Sequence, residues 1–321
     1  MVTLFYTKIH NEFFIFLGVA LHYTIYHLNN YIKLNCKGHE NFEFVDVNLN
    51  TDNCIFIDPA LIERADDEWC INANKYIQSF FDCLFVALKN DHINDLFDHV
   101  HEQNATKLGY GNGNNGKGKT ANGLEVSLKE LKTLVHEIPT ISKGEDVCIF
   151  IKNFAKDGMS DLLTNILHEQ LNEFTAQQME KFGIVSSGEK TFWTWNIINS
   201  KWHQITRKSW FYEGKELLMV PKWIVRKNYL FNVDRYLYTV IAERIKIDND
   251  WQNMTKEDVI KNMSKNNDDK YWRYATAIEY SKKYPEVLEE YHKKIPMSYN
   301  RKKNLMTDKD LDLIIYGDNL Q

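Results

Sequence analysis

Two stretches of the chain place apolar residues at intervals of three and four, the spacing of one face of an α-helix. The first runs over residues 69–100 and the second over 160–182, where Ser160 is expected to cap the helix. Gly183 stands where the second helix should stop, since glycine accepts the left-handed conformation of a helix C-terminus. A third helical pattern covers 124–138. Much of the chain is therefore predicted to be helical.

Other segments alternate apolar and polar residues, which is typical of half-buried strands. Residues 42–57 alternate around the polar tetrad NTDN and predict a β-hairpin. Residues 147–151 (VCIFI) form a short apolar run that predicts a buried strand. Residues 191–225 combine aromatic and β-branched positions with turns, and predict an antiparallel meander.

Helix starts are marked by residues that cap the free N–H groups of the first turn. An aspartate precedes a proline before one helix, and two threonines stand three positions before an aspartate. These pairs are Asp58 with Pro59, Thr255 with Asp258, and Thr307 with Asp310.

The patterns together predict an α+β protein that is mostly helical, with an N-terminal β-hairpin and a central antiparallel β-meander. We divide its 321 residues into three parts. Residues 1–35 are an apolar extension, and 36–185 are a mainly helical domain with a glycine-rich loop. Residues 186–321 hold the meander and a helical C-terminal region.

The most apolar stretch, residues 13–28, is shorter than the roughly 20 residues that a spanning helix needs. It contains His22, Thr24 and His27, and it lacks a cationic flank and a small-residue cleavage site. We therefore expect a buried helix or strand there and no membrane contact, with an anchor or signal segment as the alternative.

Charge and cysteine content add to this picture. Residues 1–200 carry 16 Lys+Arg and 26 Asp+Glu (16 − 26 = −10), whereas 201–321 carry 23 and 18 (23 − 18 = +5). This asymmetry permits a basic face for phosphates in the second half. The five cysteines are widely spaced and form no CxxC pair, so reduced thiols and a cytoplasmic location are expected.

A match to the P-loop pattern occurs at residues 113–120 (GNNGKGKT). A true P-loop joins a buried strand to a helix, so that backbone N–H groups converge on phosphate. The preceding residues are polar, and no apolar strand ending in a carboxylate follows. We interpret the segment as a surface loop that is not an ATPase site, with Lys117 and Lys119 able to contact a phosphate backbone.

Metal-dependent phosphodiester cleavage needs carboxylates to hold Mg²⁺ and a lysine near the attacking water. Asp157 and Asp161 flank the start of a predicted helix and are the candidate metal ligands. The meander contains an E-x-K sequence, Glu213 to Lys215, and a second pair, Glu216 and Lys222. Hairpin turns often have the same composition. The candidate catalytic residues are therefore Asp157, Asp161, Glu213, Lys215, Glu216 and Lys222.

Aromatic residues interleave with cations in the meander, a composition that suits base stacking beside phosphate contacts. The same aromatics could instead fill the core. The candidate nucleic-acid-binding residues are Lys117, Lys119, Arg207, Lys208, Trp210, Arg226 and Lys227. A polar cluster at 91–102, in which Asp91, Asp95, Asp98 and Glu102 would share one helical face, could bind a divalent metal or be a solvated surface.

Several segments in order resemble a family of largely uncharacterised bacterial proteins associated with mobile elements and phage-defence neighbourhoods. They are FVDVN with FIDPALI, LGYGNGNNGKGKTANGL, DGMSDLLTNIL, LLMVPKWIVRKN and MTDKDLDLIIY. The resemblance spans roughly residues 40–316 and singles out DGMSD, but it carries over no catalytic residue. The leading hypothesis is a cytoplasmic antiviral protein that binds or cleaves nucleic acid, using Mg²⁺ if it is a nuclease. The alternative is a non-catalytic sensor or adaptor that recognises a protein partner, for instance one from the same defence operon.

Overall fold

Helices make up most of the secondary structure in the computed structural model, which describes residues 27–34, 36–90, 96–110, 130–152, 154, 156–298 and 305–317. The helices before the meander are α1 (Leu28–Tyr31), α2 (Pro59–Glu63), α3 (Glu68–Lys89), α4 (130–137), α5 (Val147–Phe150), α6 (Lys156–Ile166) and α7 (His168–Lys181). Those after it are α8 (Val233–Tyr236), α9 (Ala242–Asp248), α10 (Lys256–Lys265), α11 (Trp272–Lys283), α12 (Glu286–Ser298) and α13 (Asp308–Ile315). A π-helical turn, Leu237–Ile241, joins α8 to α9.

The strands are β1 (Phe56–Ile57), β2 (Gly188–Asn196), β3 (Lys201–Tyr212), β4 (Lys215–Leu217) and β5 (Val225–Arg226). The α+β class and the central antiparallel meander are confirmed, because β2, β3 and β4 form one sheet in sequence order. The turn from β3 to β4 consists of Glu213 and Gly214, both with positive φ (49° and 76°). Two such residues match the right-handed twist of a hairpin.

The predicted N-terminal hairpin is not formed. Within residues 42–57 only Phe56 and Ile57 are in a strand, and they pair with the distant β5. Phe44 makes an isolated bridge with Pro221. Alternation along the chain identifies extended backbone, but it carries no information on which strand is the partner.

Two further predictions are corrected. Residues 147–150, expected as a strand, are a buried helix, because a short apolar run fits either structure when both faces are covered. The helix expected to begin at Ser160 begins at Lys156 and breaks at Leu167, where ψ is 18°. It ends as predicted, with Gly183 at φ 70°. The three capping pairs are confirmed.

The hydrophobic core is continuous across residue 185, where the sequence predicts a seam. Helix α3 packs its apolar face on the meander, and the ring of Phe80 meets that of Trp195 edge-on at 5.1 Å. The indole N–H of Trp195 donates to Ser79. None of the five cysteines forms a disulfide. In the part of the chain that the structure describes, no helix is both long and apolar enough to cross a bilayer.

Candidate active site

Asp157 and Asp161 lie one turn apart on helix α6, so their side chains share one face of the helix. The helix is anchored to the strand layer by Ser160, whose hydroxyl accepts a hydrogen bond from the backbone of Ile57 (3.2 Å). Asp161 is only 8% exposed and accepts a hydrogen bond from the backbone N–H of Gln103 (3.3 Å). The pair is therefore positioned by a helix and by the loop that crosses it.

Negative charge is concentrated around Asp161. We call this group of four carboxyl residues (Asp52, Glu102, Asp157 and Asp161) the acidic site. Burial, together with the charges of Asp157, Glu102 and Asp52, raises the pKa of Asp161 to about 8. Burial also raises the pKa of Asp52, while Lys107 and Lys215 oppose that change. Carboxyl groups that hold a proton near neutral pH, because they lack a compensating cation, are frequent in functional sites.

Backbone approaches these carboxylates closely at Gly109. Its φ of 142° is unfavourable for other residues, and a Cβ there would lie 2.9 Å from Oδ1 of Asp157. Gly109 donates its N–H to the carbonyl of Asn53 (2.9 Å), and Asn53 donates its own N–H to Lys107 (2.9 Å). Asn53 thus fixes the turn that faces Asp157, and a side chain at position 109 would collide with that carboxylate.

Lys156, the residue before Asp157, is half-buried, and its ammonium group contacts the segment at residues 227–228. Nζ of Lys156 donates to the carbonyl of Lys227 (2.8 Å) and to Oδ1 of Asn228 (2.9 Å). It lies 4.9 Å from the ring centre of Phe56 and 5.8 Å from that of Tyr110. Burial lowers the pKa of Lys156, and the charge of Lys227 lowers it further.

Two of the predicted nucleic-acid residues lie beside this lysine. Arg226 belongs to β5 and is 4.0 Å from Asp58, and Lys227 is exposed. Arg207 and Lys208 are exposed on β3, where Arg207 pairs with Glu169 at 2.5 Å. The strand register thus separates the predicted cations into two groups, one on β3 and one next to helix α6.

Trp210 does not offer a stacking surface, because it is buried and belongs to the core. This correction favours the core-filling interpretation of the meander aromatics at this position. Lys117, Lys119 and the P-loop match at 113–120 lie outside the described residues, as do residues 1–26.

Glu216 is not a free carboxylate for metal. One of its oxygens is 3.0 Å from Nε2 of His168, and the other accepts from Ser209 at 3.3 Å. The imidazole of His168 stacks on Phe192 with ring centres 3.9 Å apart. Asn172 donates to the same Ser209 hydroxyl. Glu216 therefore belongs to a buried network that joins helix α7 to the meander.

The other predicted catalytic residues are dispersed. Lys222 is held by Asp308 (2.6 Å) and by the carbonyl of His39 (2.7 Å), which fastens helix α13 to the N-terminal segment. Glu213 is exposed in the β3–β4 turn. Of this group, Lys215 faces the acidic site through its charge interaction with Asp52.

The polar cluster predicted at 91–102 does not lie on one helix. Helix α3 ends at Lys89, residues 96–106 contain no α-helix, and residues 91–95 are outside the described part. Glu102 faces Asp161 instead. In the described ranges, no three His, Cys, Asp or Glu side chains converge closely enough to hold a metal ion by themselves.

The sequence did not single out Asp52 or Lys156, and it grouped Glu102 with the 91–102 cluster and not with Asp161. Asp52 lies in the NTDN tetrad, whose composition predicts a simple turn, and Lys156 directly precedes the DGMSD segment. The position of Lys156 was the available signal, since a lysine next to a candidate metal ligand fits the chemistry of phosphodiester cleavage. Asp52 and Glu102 reach the site only through long-range packing.

Comparison with known proteins gives one match. A family model described as "Domain of unknown function (DUF8370)" matches residues 33–232. This range contains the acidic site, helices α6 and α7, and the meander. No curated protein and no solved structure matches the chain.

Proposed function

The chain belongs to the DUF8370 family, and from the geometry of its acidic site we propose that it is a metal-dependent nuclease. The observation that carries the proposal is the carboxylate pair on one face of helix α6, in which Asp161 is buried and Asp157 is closely approached by Gly109. On the sequence resemblance alone, we extend the proposal to a cytoplasmic role in bacterial antiviral defence.

The donor set suits Mg²⁺ better than a metal that needs an all-protein cage. Mg²⁺ commonly binds one or two carboxylates and completes its coordination with water and substrate phosphate. Asp157 and Asp161 would supply those carboxylates, and the proton held on Asp161 marks a position where positive charge is favourable. Bound there, Mg²⁺ would polarise a phosphoryl oxygen and lower the pKa of a water molecule.

The remaining residues have roles that follow from their positions. Lys156, with its pKa lowered by burial, can hold or release a proton more readily than an exposed lysine. Lys227 is exposed next to it and can meet a backbone phosphate. Because residue 109 is a glycine, it places no side chain against the carboxylate of Asp157.

A second candidate is nucleic-acid recognition without cleavage, as in a sensor. The observation in its favour is that the described residues contain no three-ligand metal group. Cleavage and binding must therefore be measured separately.

The deciding experiment incubates the purified protein with labelled single-stranded DNA, duplex DNA and RNA, with and without Mg²⁺ or Mn²⁺. Asp161→Asn keeps the side-chain shape while removing the charge, and Asp268→Asn changes an exposed aspartate as the matched control. We expect metal-dependent cleavage that falls at least about a hundredfold in Asp161→Asn, because a metal ligand contributes several kcal/mol to transition-state stabilisation. The control should retain wild-type activity.

Equal cleavage by wild type and Asp161→Asn would refute the assignment of the site. Salt-sensitive binding with no cleavage under any metal condition would favour the sensor, since phosphate contacts weaken as salt rises. Absence of both binding and cleavage would refute a nucleic-acid function altogether.

A further inference from the structure

A cavity of about 280 Å³ lies between helix α3 and the turn at residues 142–145. None of the acidic-site residues lines it. Its polar and aromatic wall includes Glu63, Asn74, Phe81, Asp82, Lys143 and Glu145.

The charges in this wall are not evenly paired. Glu63 engages both neighbouring cations, with Lys143 at 2.7 Å on one oxygen and Arg64 at 2.7 Å on the other. Glu145 is less closely paired with these cations, and it shares a hydrogen bond with the Glu63 carboxyl group. Oε1 of Glu145 accepts no hydrogen bond, and the nearest guanidinium nitrogen of Arg64 is 3.9 Å away. The Glu145 side chain is only 8% exposed, so water compensates little of its charge.

We propose that this cavity is a binding site for a small organic ammonium ion, whose charged nitrogen is held by the Glu145 carboxylate. Three carboxyl groups (Glu63, Asp82 and Glu145) and one cation (Lys143) line the cavity, and Arg64 pairs with Glu63 from outside the lining, so a cation bound at Glu145 meets more acidic than basic groups. An ion pair with good hydrogen bonds is the usual way in which a buried carboxylate is stabilised.

The size and chemistry of the wall favour an organic ion over a metal. The volume of about 280 Å³ far exceeds the roughly 15 Å³ that a single water molecule needs. The described residues offer no group of three metal-ligating side chains, whereas amides and the Phe81 ring suit an N–H donor on a short carbon chain.

Gly144 maintains this wall. A Cβ at position 144 would lie 2.5 Å from the ring of Phe81, so only glycine lets that ring pack against the turn. The Glu145 carboxyl on the next residue is thereby held at the cavity rather than displaced from it.

Protonation supplies an independent signature of the site. Burial raises the pKa of Glu145, and the neighbouring charge of Glu63 raises it further. In the absence of a cation the carboxyl therefore tends to keep its proton near neutral pH. An ammonium ion that takes its place must displace this proton, so binding should release a fraction of a proton.

The test is isothermal titration calorimetry of the full chain with putrescine, a six-atom diamine, near pH 7. 1,4-Butanediol serves as the uncharged control of equal length, and MgCl₂ at equal concentration serves as a competitor. Repeating the putrescine titration in two buffers of different ionisation enthalpy measures proton release. The variants are Glu145→Gln and, as an exposed-carboxylate control, Glu180→Gln.

We expect saturable putrescine binding with proton release, affinity at least about tenfold lower in Glu145→Gln, and no change in Glu180→Gln. The wild-type arms remain decisive even if Glu145→Gln fails to fold. No putrescine binding at millimolar concentration, equal affinity for butanediol, full displacement of putrescine by an equal concentration of MgCl₂, or unchanged affinity in a folded Glu145→Gln would each overturn the proposal. None of these outcomes depends on nuclease activity.

Discussion

Asparagine at position 161 should make the protein more stable at alkaline pH while removing its proposed activity. The pKa of Asp161 rises from its ordinary value of 3.8 to about 8 because of burial and neighbouring negative charge. One pKa unit corresponds to about 1.4 kcal/mol, so the difference between the protonation states is roughly 6 kcal/mol as an upper bound. Relaxation and water penetration reduce such penalties, and we expect about 2–4 kcal/mol.

The direction of the pH effect on stability is set by the two pKa values of Asp161, 3.8 in the unfolded chain and about 8 in the native protein. Above pH 3.8 the unfolded chain releases a proton that the native state still holds, so native stability falls as the pH rises. The loss continues to about pH 8 and is constant above it. The amide of the Asp161→Asn variant carries no such proton, and its oxygen can still accept from the backbone of Gln103. The stability advantage of Asp161→Asn should therefore grow between pH 4 and 8.

Urea unfolding of both proteins at pH 5, 6, 7, 8 and 9 measures this difference, with Asp268→Asn as the control for loss of an exposed charge. A difference that does not change with pH would refute the electrostatic account of the site.

Mg²⁺ adds a second measurement, since it competes with the proton on Asp161. Its affinity for the wild type should rise between pH 6 and 8, and a flat profile would contradict the assignment of Asp161 as a ligand.

Three further predictions concern Glu216, Gly109 and Lys227. Glu216→Gln should lower the free energy of unfolding by about 3 kcal/mol, since it breaks a buried pair with His168; urea unfolding measures this, and a loss below about 1 kcal/mol would show that the pair is structurally dispensable. Gly109→Ala should cost about 1–3 kcal/mol and displace Asp157, because of its positive φ and the 2.9 Å approach; unchanged stability and cleavage would contradict the close approach. Lys227→Ala should reduce the slope of log affinity for duplex DNA against log salt by about 0.9, the contribution of one phosphate contact, and an unchanged slope would remove this residue from the interface.

The sequence by itself determined the structures that depend on local interactions. Helix α3 is specified by apolar residues at helical spacing, and the helix starts by side chains that cap their own first turn. The meander is local as well, because each of its strands pairs with the next along the chain through a short turn. Asp157 and Asp161 could be identified in advance as candidates because they flank a predicted helix start, although the helix begins at Lys156 and contains both.

Tertiary structure alone decided which distant residues join that pair. Asp52 and Glu102 come from segments whose patterns indicate a turn and a polar surface, and only long-range packing brings their charges to Asp161. The sequence predicted that Glu216 could be catalytic, but the register of the meander places its carboxylate against His168.

The β1–β5 pairing illustrates the same limit. Its partners are separated by some 170 positions in the chain, and short alternating patterns do not encode the partner. Burial, charge compensation and strand pairing depend on the whole fold, whereas helix periodicity and capping depend on a few neighbouring residues. The carboxylates of helix α6 could therefore be found from the sequence, while the raised pKa of Asp161 is a property of the folded chain.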